Sequence, residues 1–321
     1  MIKDKNVLVT GGAGFIGISL CQKLLKEGNL VVILDNFNHY YSGKEERLQE
    51  VLTQFEPGKD YIIHNKDLIN PSTLDNLNRN FDYIFHLAAQ AGVRYSIQHP
   101  VEVTRNNIES SVNIFEYACE VNPIKVIFAS SSSVYGNPIY TPLDEGHPKN
   151  PISPYAVSKL TGEIYADYYF REKGLPVTSL RFYTVYGPSG RPDMAIRKFF
   201  NLMLQDKEIM IYGDGEQLRD FTYISDIVNG LILAAESPKS TGEIFNLGCS
   251  NPIKVIDLIS KMYEISGKQQ KLKYIEKQEG DVEVTHSNIT KAKKILGYTP
   301  EVYIDEGLQK TFEWQSKFLV R

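Results

Sequence analysis

The chain has 321 residues, of which 42% are hydrophobic and 23% are charged, and its formal net charge is -4 at pH 7. This composition is typical of a folded protein with a sizeable core and excludes a largely disordered chain. The slightly acidic charge, without a block of Lys or Arg, argues against nucleic acid or an anionic membrane as the main partner. The first residues lead directly into an apolar run, and no apolar stretch is long enough to span a bilayer. We therefore expect a cytoplasmic protein without a signal peptide.

Short apolar runs recur along the first part of the chain, and segments with helical periodicity, such as 16–26 and 112–120, separate them. The runs are 7–9, 31–34, 61–64, 83–87, 126–129 and 177–182. Apolar runs of this length are typical of strands that are buried on both faces. The alternation therefore predicts an α/β fold with a doubly wound parallel sheet of the Rossmann type and right-handed crossovers.

The segment 138–154 holds five prolines, so it is excluded from helix interiors and central strands. We expect a loop here that leads into a helix beginning near Tyr155. Beyond residue 188 the pattern loosens, and we expect helices at 195–205, 226–236 and 255–266.

No repeat or low-complexity linker separates the two halves of the chain. We therefore predict a cofactor-binding domain formed by 1–186 together with about 226–250. A smaller, interleaved C-terminal substrate domain is predicted for 187–225 and 251–321.

A glycine-rich turn formed by Gly11, Gly14 and Gly17 joins the first predicted strand to the first predicted helix. Small residues at these positions let the backbone approach a diphosphate at the helix N-terminus. Asp35 ends the second predicted strand, where a carboxylate can bind a ribose 2'-hydroxyl. No Arg follows it to hold a 2'-phosphate, so NAD is favoured over NADP. Asp67 follows the third strand and either lines an adenine pocket or caps the next turn.

Tyr155 and Lys159 are four residues apart in a predicted helix, which places both side chains on one face. A Lys ammonium close to the phenol oxygen is expected to favour the phenolate by lowering the pKa of the Tyr. An isolated pair of this kind is more often an ordinary feature of a surface helix. Its occurrence after a glycine-rich turn indicates hydride chemistry.

Two further residue types bear on metal and redox chemistry. Cys21, Cys119 and Cys249 lie far apart and form no CxxC motif, which argues against a disulfide framework and a thiolate metal site. We expect all three to be small buried side chains. No second His stands at metal-ligand spacing from His86, so we predict no catalytic metal and expect His86 to be a hydrogen-bonded core residue.

Together, these motifs resemble the extended short-chain dehydrogenase/reductase family, and the likeness covers essentially the whole chain. Four blocks, 35–41, 89–94, 130–136 and 181–195, are similar to the UDP-glucuronate 4-epimerases of that family, and the last is the most specific. The resemblance implies NAD as cofactor, a UDP-sugar as substrate and a homodimer formed through helices at 112–120 and 155–171. Two mild departures are Ser189, where an apolar or aromatic residue is common, and Ser131, where Thr is common.

The resemblance also implies roles for individual residues. Tyr155 would act as base and acid, Lys159 as its activator and a ribose contact, and Ser131 as the hydroxyl partner. The remaining cofactor-binding residues implied in this way are Phe15, Ile16, Asn36, Asn38, Leu68, Leu87, Ala88, Ala89, Gln90 and Asn107.

On the substrate side, Ser132, Ser133 and Thr184 are candidate hydroxyl donors for a sugar carboxylate. Arg191 would face either that carboxylate or a phosphate, with a solvated loop Arg as the alternative. The family pattern makes Arg219 a diphosphate contact and Asp281 a uridine-ribose contact. For Arg219, a structural salt bridge to a neighbouring Asp is the alternative.

The implied reaction converts UDP-glucuronate to UDP-galacturonate through a transient 4-keto sugar. A UDP-glucose or UDP-N-acetylglucosamine 4-epimerase and a UDP-glucuronate decarboxylase would use the same scaffold. A 4,6-dehydratase is disfavoured, because Ser132 and Ser133 occupy the positions of its usual Asp–Glu pair. A catalytically silent NAD-sensing module is disfavoured by the intact set of Ser131, Tyr155 and Lys159.

Overall fold

The computed structural model describes residues 2–75, 77, 80–276 and 282–319. The strands in this part of the chain are β1 (Asn6–Thr10), β2 (Leu30–Asp35), β3 (Tyr61–Asn65), β4 (Tyr83–His86), β5 (Lys125–Ser131), β6 (Val177–Phe182), β7 (Val185–Tyr186), β8 (Ile209–Tyr212), β9 (Leu218–Arg219), β10 (Thr222–Tyr223), β11 (Ile244–Leu247), β12 (Ile253–Lys254) and β13 (Leu272–Ile275).

The α-helices are α1 (Phe15–Lys26), α2 (Lys44–Leu52), α3 (Ser72–Asp75), α4 (Val93–Gln98), α5 (Pro100–Thr104), α6 (Ser110–Val121), α7 (Pro154–Lys173), α8 (Ala195–Leu204), α9 (Ile224–Glu236), α10 (Val255–Ser266), α11 (Thr290–Leu296) and α12 (Ile304–Leu319). A π-helical segment, Arg105–Glu109, joins α5 to α6, and short 3-10 helices cover Ser132–Tyr135 and Pro238–Ser240. None of the helices among the described residues is long and apolar enough to cross a membrane.

The central sheet of the described chain has seven parallel strands in the order β11-β6-β5-β4-β1-β2-β3. The six predicted strands all occur, and the predicted Rossmann-type fold is confirmed. The strand order reverses at the pair β1 and β4, where Thr10 lies opposite both Leu34 of β2 and His86 of β4. In folds of this kind, ligands bind at the carboxyl ends of the strands beside such a reversal.

Two helical layers cover the sheet. Helices α1 and α9 pack on one face, and α6 and α7 pack on the other, each above its own cluster of buried apolar residues. Helix α7 approaches β5 very closely, because a Cβ on Gly162 would lie only 2.3 Å from Cζ of Phe128. This contact fixes the start of α7, and therefore Tyr155, beside the carboxyl end of β5.

The C-terminal part adds small two-stranded sheets and a group of helices. Strand β8 pairs with β13, β9 with β12 and β7 with β10, while α8, α10 and α12 pack against one another. Strand β11 returns to the central sheet beside β6. The exact domain limits of 1–186 plus about 226–250, and of 187–225 plus 251–321, stay a prediction.

The cysteine expectation is only partly correct. Cys21 and Cys249 are buried free thiols, but Cys119 is exposed on α6.

Candidate active site

A cleft of about 900 Å³ is lined by the residues that follow β1, β2, β4 and β5 and by residues of the C-terminal part. It brings together most of the residues singled out from the sequence. Those that line it are Gly11, Gly14, Phe15, Ile16, Gly17, Asp35, Asn36, Asn38, Asp67, Leu68, Leu87, Ala88, Ala89, Gln90, Ser131, Ser132, Ser133, Tyr155, Lys159, Thr184, Arg191 and Arg219. Asn107 does not line the cleft, and Asp281 lies outside the described residues.

The glycine-rich turn packs too tightly for side chains. A Cβ on Gly17 would lie 2.2 Å from the carbonyl oxygen of Gly11, and Gly11 itself has φ of 69°. Gly14 is the N-cap residue of α1, so the positive end of that helix faces the cleft. The residues at this end of the cleft therefore fit the diphosphate of a dinucleotide.

Asp35 is fixed at the base of the same end. Its Oδ2 accepts a hydrogen bond from the backbone N–H of Ala13 at 3.0 Å, and its Oδ1 accepts one from Phe37 at 2.8 Å. Burial raises the pKa of Asp35, while these two backbone hydrogen bonds and the charge of Lys44 lower it. A carboxylate oriented in this way suits a ribose diol.

Asp67 caps a turn and also lines the cleft, and its contact with an adenine stays a prediction. Its Oδ1 accepts a hydrogen bond from the backbone N–H of Ile69 at 3.0 Å, which caps the turn after β3. Its Oδ2 accepts a hydrogen bond from the Asn36 side chain at 3.1 Å, and both residues line the cleft.

Asn107 is buried in the π-helical segment and does not line the cleft, so its role as a cofactor contact stays a prediction. Its side chain accepts a hydrogen bond from the backbone N–H of Gln90 at 2.7 Å and donates to Oγ of Ser158 at 2.9 Å. It therefore ties the loop at Gln90 to the residue before Lys159.

Ser131 and Tyr155 both line the cleft, and the Ser131 hydroxyl is among the groups that lower the pKa of the phenol. Ser131 is the last residue of β5, and its hydroxyl also donates to Oγ of Ser133 at 3.1 Å. The N-cap of α7 is Ser153, whose side chain accepts a hydrogen bond from the backbone N–H of Ala156 at 3.2 Å. The cap sets where the helix begins, and Tyr155 is its second residue.

Two positively charged groups lie near Tyr155. Nζ of Lys159 donates to the carbonyl oxygen of Ala129 at 2.7 Å and lies 6.0 Å from the centroid of the Tyr155 ring. The pKa of Tyr155 is raised, because burial outweighs the charge of Arg191 and the effect of the Ser131 hydroxyl, which both lower it. Burial lowers the pKa of Lys159 to about 8, while the charge of Glu163 raises it. The role of Lys159 as the activator of Tyr155 stays a prediction, and Arg191 is a second source of positive charge.

Arg191 lies at the Tyr155 end of the cleft. Its guanidinium forms a two-point ion pair with Asp193, with Nε to Oδ1 at 3.0 Å and Nη2 to Oδ2 at 2.6 Å. Only 18% of its side chain is exposed, so it is not a solvated loop Arg. This position puts Arg191 close to the group that would react.

Arg219 lines the opposite part of the cleft. It donates hydrogen bonds to the carbonyl oxygens of Leu218 at 3.0 Å and Glu283 at 3.2 Å. Asp220 is fully buried and accepts hydrogen bonds from backbone N–H groups of Cys249, Ser250 and Ser287. Asp226 likewise accepts from backbone N–H groups. The carboxylates of Asp220 and Asp226, which were the possible salt-bridge partners of Arg219, thus accept hydrogen bonds from the backbone.

The structure contains a buried ion pair beneath the site that the sequence did not predict. Arg181 and Glu163 form two bonds, Nε to Oε1 at 2.8 Å and Nη2 to Oε2 at 2.7 Å, and Oγ of Ser130 donates to the same Oε1 at 2.5 Å. Glu163 lies one helical turn beyond Lys159, and that spacing was the available signal. Tyr40 and Asp193, which also line the cleft, were missed as well.

His86 is the hydrogen-bonded core residue that was expected. Its Nδ1 bonds with Oγ1 of Thr10 at 2.8 Å and its Nε2 with Oγ of Ser111 at 3.1 Å. Burial and the charge of Lys159 lower the pKa of His86 to about 3, so the ring is neutral. Among the described residues, no group of three or more His, Cys, Asp or Glu side chains could hold a metal ion.

Residues 7–248 match the sequence model of the NAD dependent epimerase/dehydratase family. This chain belongs to that family. The family assignment confirms the predicted resemblance, and its NAD dependence agrees with the predicted cofactor. The UDP-glucuronate 4-epimerase of Thermodesulfobacterium geofontis is 38% identical over 316 residues, which cover 97% of this chain and 96% of that protein.

Solved structures of family members cover the whole fold. The Bacillus cereus UDP-glucuronic acid 4-epimerase, in complex with UDP-glucuronic acid and NAD, is 34% identical with a TM-score of 0.89, covering 98% of this chain and 99% of that one. The UDP-N-acetylglucosamine 4-epimerase of Methanobrevibacter ruminantium, in complex with UDP-N-acetylmuramic acid, is 33% identical with a TM-score of 0.91, covering 99% and 100%.

Proposed function

We propose that this protein is an NAD-dependent 4-epimerase that interconverts UDP-glucuronate and UDP-galacturonate. The observation that carries the proposal is that Ser131 and Tyr155 line the same cleft as the glycine-rich turn. A proton-accepting phenol and a dinucleotide cradle are the two parts that oxidation of a sugar alcohol needs. The full-length likeness to UDP-glucuronate 4-epimerases supports the choice of sugar.

The chain's own residues would move the proton and hold the substrate. Bound NAD supplies a hydride acceptor that takes the C4 hydrogen and later returns it. Tyr155 would accept the proton of the 4-hydroxyl, with Ser131 as the neighbouring hydroxyl partner, and would return the proton after the sugar has turned over. Arg191 would favour the phenolate, because its positive charge already lowers the pKa of Tyr155. The carbonyl oxygen of Ala129 accepts a hydrogen bond from Nζ of Lys159. This bond would keep the Lys159 ammonium group close to the ribose and to the phenol of Tyr155.

The sugar has to rotate while its uridine diphosphate stays bound. Arg219 would hold the diphosphate in the part of the cleft formed by C-terminal residues. The oxidised sugar is a β-keto acid, which is prone to lose carbon dioxide. Ser132, Ser133 and Thr184 also line the cleft, and their hydroxyls would fix the carboxylate in an orientation that is unfavourable for cleavage of the carbon–carbon bond. Product that retains all its carbon atoms is therefore expected.

The test is conversion of UDP-glucuronate by the purified protein without added NAD, followed by chromatography of the sugar nucleotides. UDP-galacturonate is the expected product, and UDP-xylose or UDP-arabinose would indicate decarboxylation. Parallel reactions with UDP-glucose and UDP-N-acetylglucosamine measure kcat/KM for neutral sugars. Absence of product from all three substrates by a protein that contains NAD would favour a cofactor-sensing module.

The second candidate is a 4-epimerase of neutral UDP-hexoses or UDP-N-acetylhexosamines. The similarity to the Methanobrevibacter ruminantium enzyme favours it, since that likeness is as extensive as the one to the Bacillus cereus enzyme. The two candidates differ at the sugar carboxylate, where Thr184 and Arg191 would act. A higher kcat/KM for a neutral sugar than for UDP-glucuronate would decide for this second function.

We propose further that the protein is a cytoplasmic homodimer that associates through α6 and α7, the helices that cover 112–120 and 155–171. Val157 and Ile164 on α7 are 47% and 63% exposed, which leaves large apolar side chains of this helix uncovered. The variant Ile164→Glu should be monomeric by light scattering, whereas Ile139→Glu, at another exposed apolar position, should leave the mass unchanged. A monomeric parent protein would contradict the dimer, and recovery in a secreted or membrane fraction would contradict the location.

A further inference from the structure

Two loops meet across the middle of the cleft. One follows β2 and carries Tyr40, and the other follows β7 and carries Arg191 and Asp193. The Tyr40 hydroxyl donates a hydrogen bond to Oδ2 of Asp193 at 3.2 Å, across 153 positions of sequence. The same carboxylate holds Arg191 at two points, and the guanidinium carbon of Arg191 lies 5.6 Å from the centroid of the Tyr40 ring.

The position of this contact relates it to the cofactor end of the cleft. Tyr40 lies five residues beyond Asp35, the expected ribose contact, and Arg191 lies close enough to Tyr155 to lower its pKa. The second loop also reaches the diphosphate cradle, since a Cβ on Gly190 would be 3.8 Å from Cζ of Phe15, the first residue of α1. The contact therefore spans the cleft between the ribose end and the reacting end, above the diphosphate position.

Tyr40 is held firmly in place. Its ring packs edge-on against Tyr95 with the centroids 5.0 Å apart, and a Cβ on Gly92 would lie 2.5 Å from its hydroxyl. Burial raises the pKa of Tyr40 to about 12, so the hydroxyl keeps its proton and can donate. Burial raises the pKa of Asp193, but the ion pair with Arg191 outweighs that effect and lowers it. The bond between Tyr40 and Asp193 is therefore a hydrogen bond to an ionised carboxylate.

We propose that Tyr40, Arg191 and Asp193 form a clasp that retains the dinucleotide in the cleft throughout the reaction. The proposal depends on the NAD of the proposed function and deepens it. The hydride removed from C4 has to return to the same sugar, so the dinucleotide must not exchange between the two transfers. Release of the dinucleotide requires the two loops to separate, which breaks the Tyr40–Asp193 bond and moves Arg191 away from the Tyr40 ring. Tyr40 and Asp193 act as positioning residues.

The test measures the dissociation rate of the cofactor. The holoprotein is loaded with radiolabelled NAD and chased with excess unlabelled NAD, and the label that remains bound is followed by rapid filtration. Tyr40→Phe removes only the hydroxyl and should release label about tenfold faster than the parent, as expected for loss of a hydrogen bond to a charged group. Asp193→Asn should release it at least as fast. The double variant should be no faster than Asp193→Asn, because both substitutions break one bond.

Matched controls come from similar bonds elsewhere on the surface. The Tyr140 hydroxyl donates to Oδ1 of Asp144 at 3.1 Å, and Asp206 pairs with Lys271 at 2.6 Å, and neither Tyr140 nor Asp206 lines the cleft. Tyr140→Phe and Asp206→Asn should release label within about twofold of the parent rate. Thermal unfolding of every variant verifies that the fold is intact.

Each outcome bears on the proposal. Release from both Tyr40→Phe and Asp193→Asn within about twofold of the parent rate would overturn the clasp while leaving the proposed function standing. Strictly additive effects in the double variant would also overturn it, because the two residues would then act separately. If the parent bound label but released it rapidly, the clasp would be overturned, and if the parent bound no label at all, the cofactor of the proposed function would be wrong as well. If Tyr40→Phe did not fold, Asp193→Asn would decide between the outcomes, because the Asp193 side chain is partly exposed.

Discussion

The ion pair beneath the active site allows a sharp test of what holds the site together. Glu163 on α7 and Arg181 on β6 are almost fully enclosed, with 3% and 0% of their side chains exposed. The substitution Glu163→Gln keeps the size of the side chain and one oxygen acceptor but removes the negative charge. Nη2 of Arg181 then loses its acceptor at 2.7 Å, and the buried guanidinium keeps its charge.

The expected cost follows from this geometry. Breaking a buried ion pair on one side typically costs about 3–5 kcal/mol, because an uncompensated charge stays behind. Arg181 retains other partners, since its Nη1 donates to the Tyr135 hydroxyl at 2.8 Å and to the Glu145 carbonyl oxygen at 3.3 Å. We therefore expect a loss near the lower end, about 3 kcal/mol in the free energy of unfolding.

Urea unfolding at neutral pH measures this loss, and the chain offers a matched control. Glu306 pairs with Lys310 at 2.6 Å on an exposed helix surface, with 56% and 47% of the side chains exposed. Glu306→Gln should cost less than about 1 kcal/mol, as exposed pairs do. Equal losses in the two variants would refute the reasoning, because they would show that enclosure of the first pair does not increase its contribution.

Three further predictions concern the cleft. Tyr155→Phe should retain NAD, measured by absorbance of the denatured protein's supernatant, while kcat falls by about 10²–10⁴-fold; parental kcat would remove Tyr155 as the base. Thr184→Val should raise KM for UDP-glucuronate about tenfold and leave KM for UDP-glucose unchanged, because the hydroxyl that is lost would bind a carboxylate that only the uronate has. An equal change in KM for both sugars would contradict that role. Burial holds the pKa of Lys159 at about 8 instead of 10.5, so the folded state binds fewer protons than the unfolded state between these values and the charged Lys lowers stability below pH 8. Cofactor-free Lys159→Met should thus be more stable than the parent by about 3 kcal/mol at pH 7 in urea unfolding, with the difference disappearing near pH 10.5, and a less stable variant at pH 7 would oppose this.

The sequence was most informative where burial acts on both faces of a strand. The runs that became β1 to β6 could be recognised locally, because a parallel strand that is covered on both faces is rich in apolar residues. Strand β11 was missed because Asn246 interrupts its short apolar run. In the folded chain that side chain accepts a hydrogen bond from Tyr135 and donates one to the carbonyl oxygen of Leu143, and both partners are distant in sequence.

The same limit applies within the site. Glycine spacing and the four-residue step from Tyr155 to Lys159 are local patterns, and the cleft brings these residues together as expected. Local sequence patterns did not predict the partners of the charged side chains. The contact of Tyr40 with Asp193 joins residues 153 positions apart, and the charge that acts on Tyr155 comes from Arg191 on another loop. Side-chain partners set by tertiary packing leave no periodic signal in the sequence.

Transfer of the C4 hydrogen tests the central claim most directly. UDP-glucuronate carrying deuterium at C4 is converted by the purified protein in ordinary water, and the product is analysed by mass spectrometry and NMR. The account predicts UDP-galacturonate with deuterium retained at C4, because the hydride leaves and returns inside one closed cleft. Loss of the deuterium to solvent, or inversion at a different carbon, would contradict it.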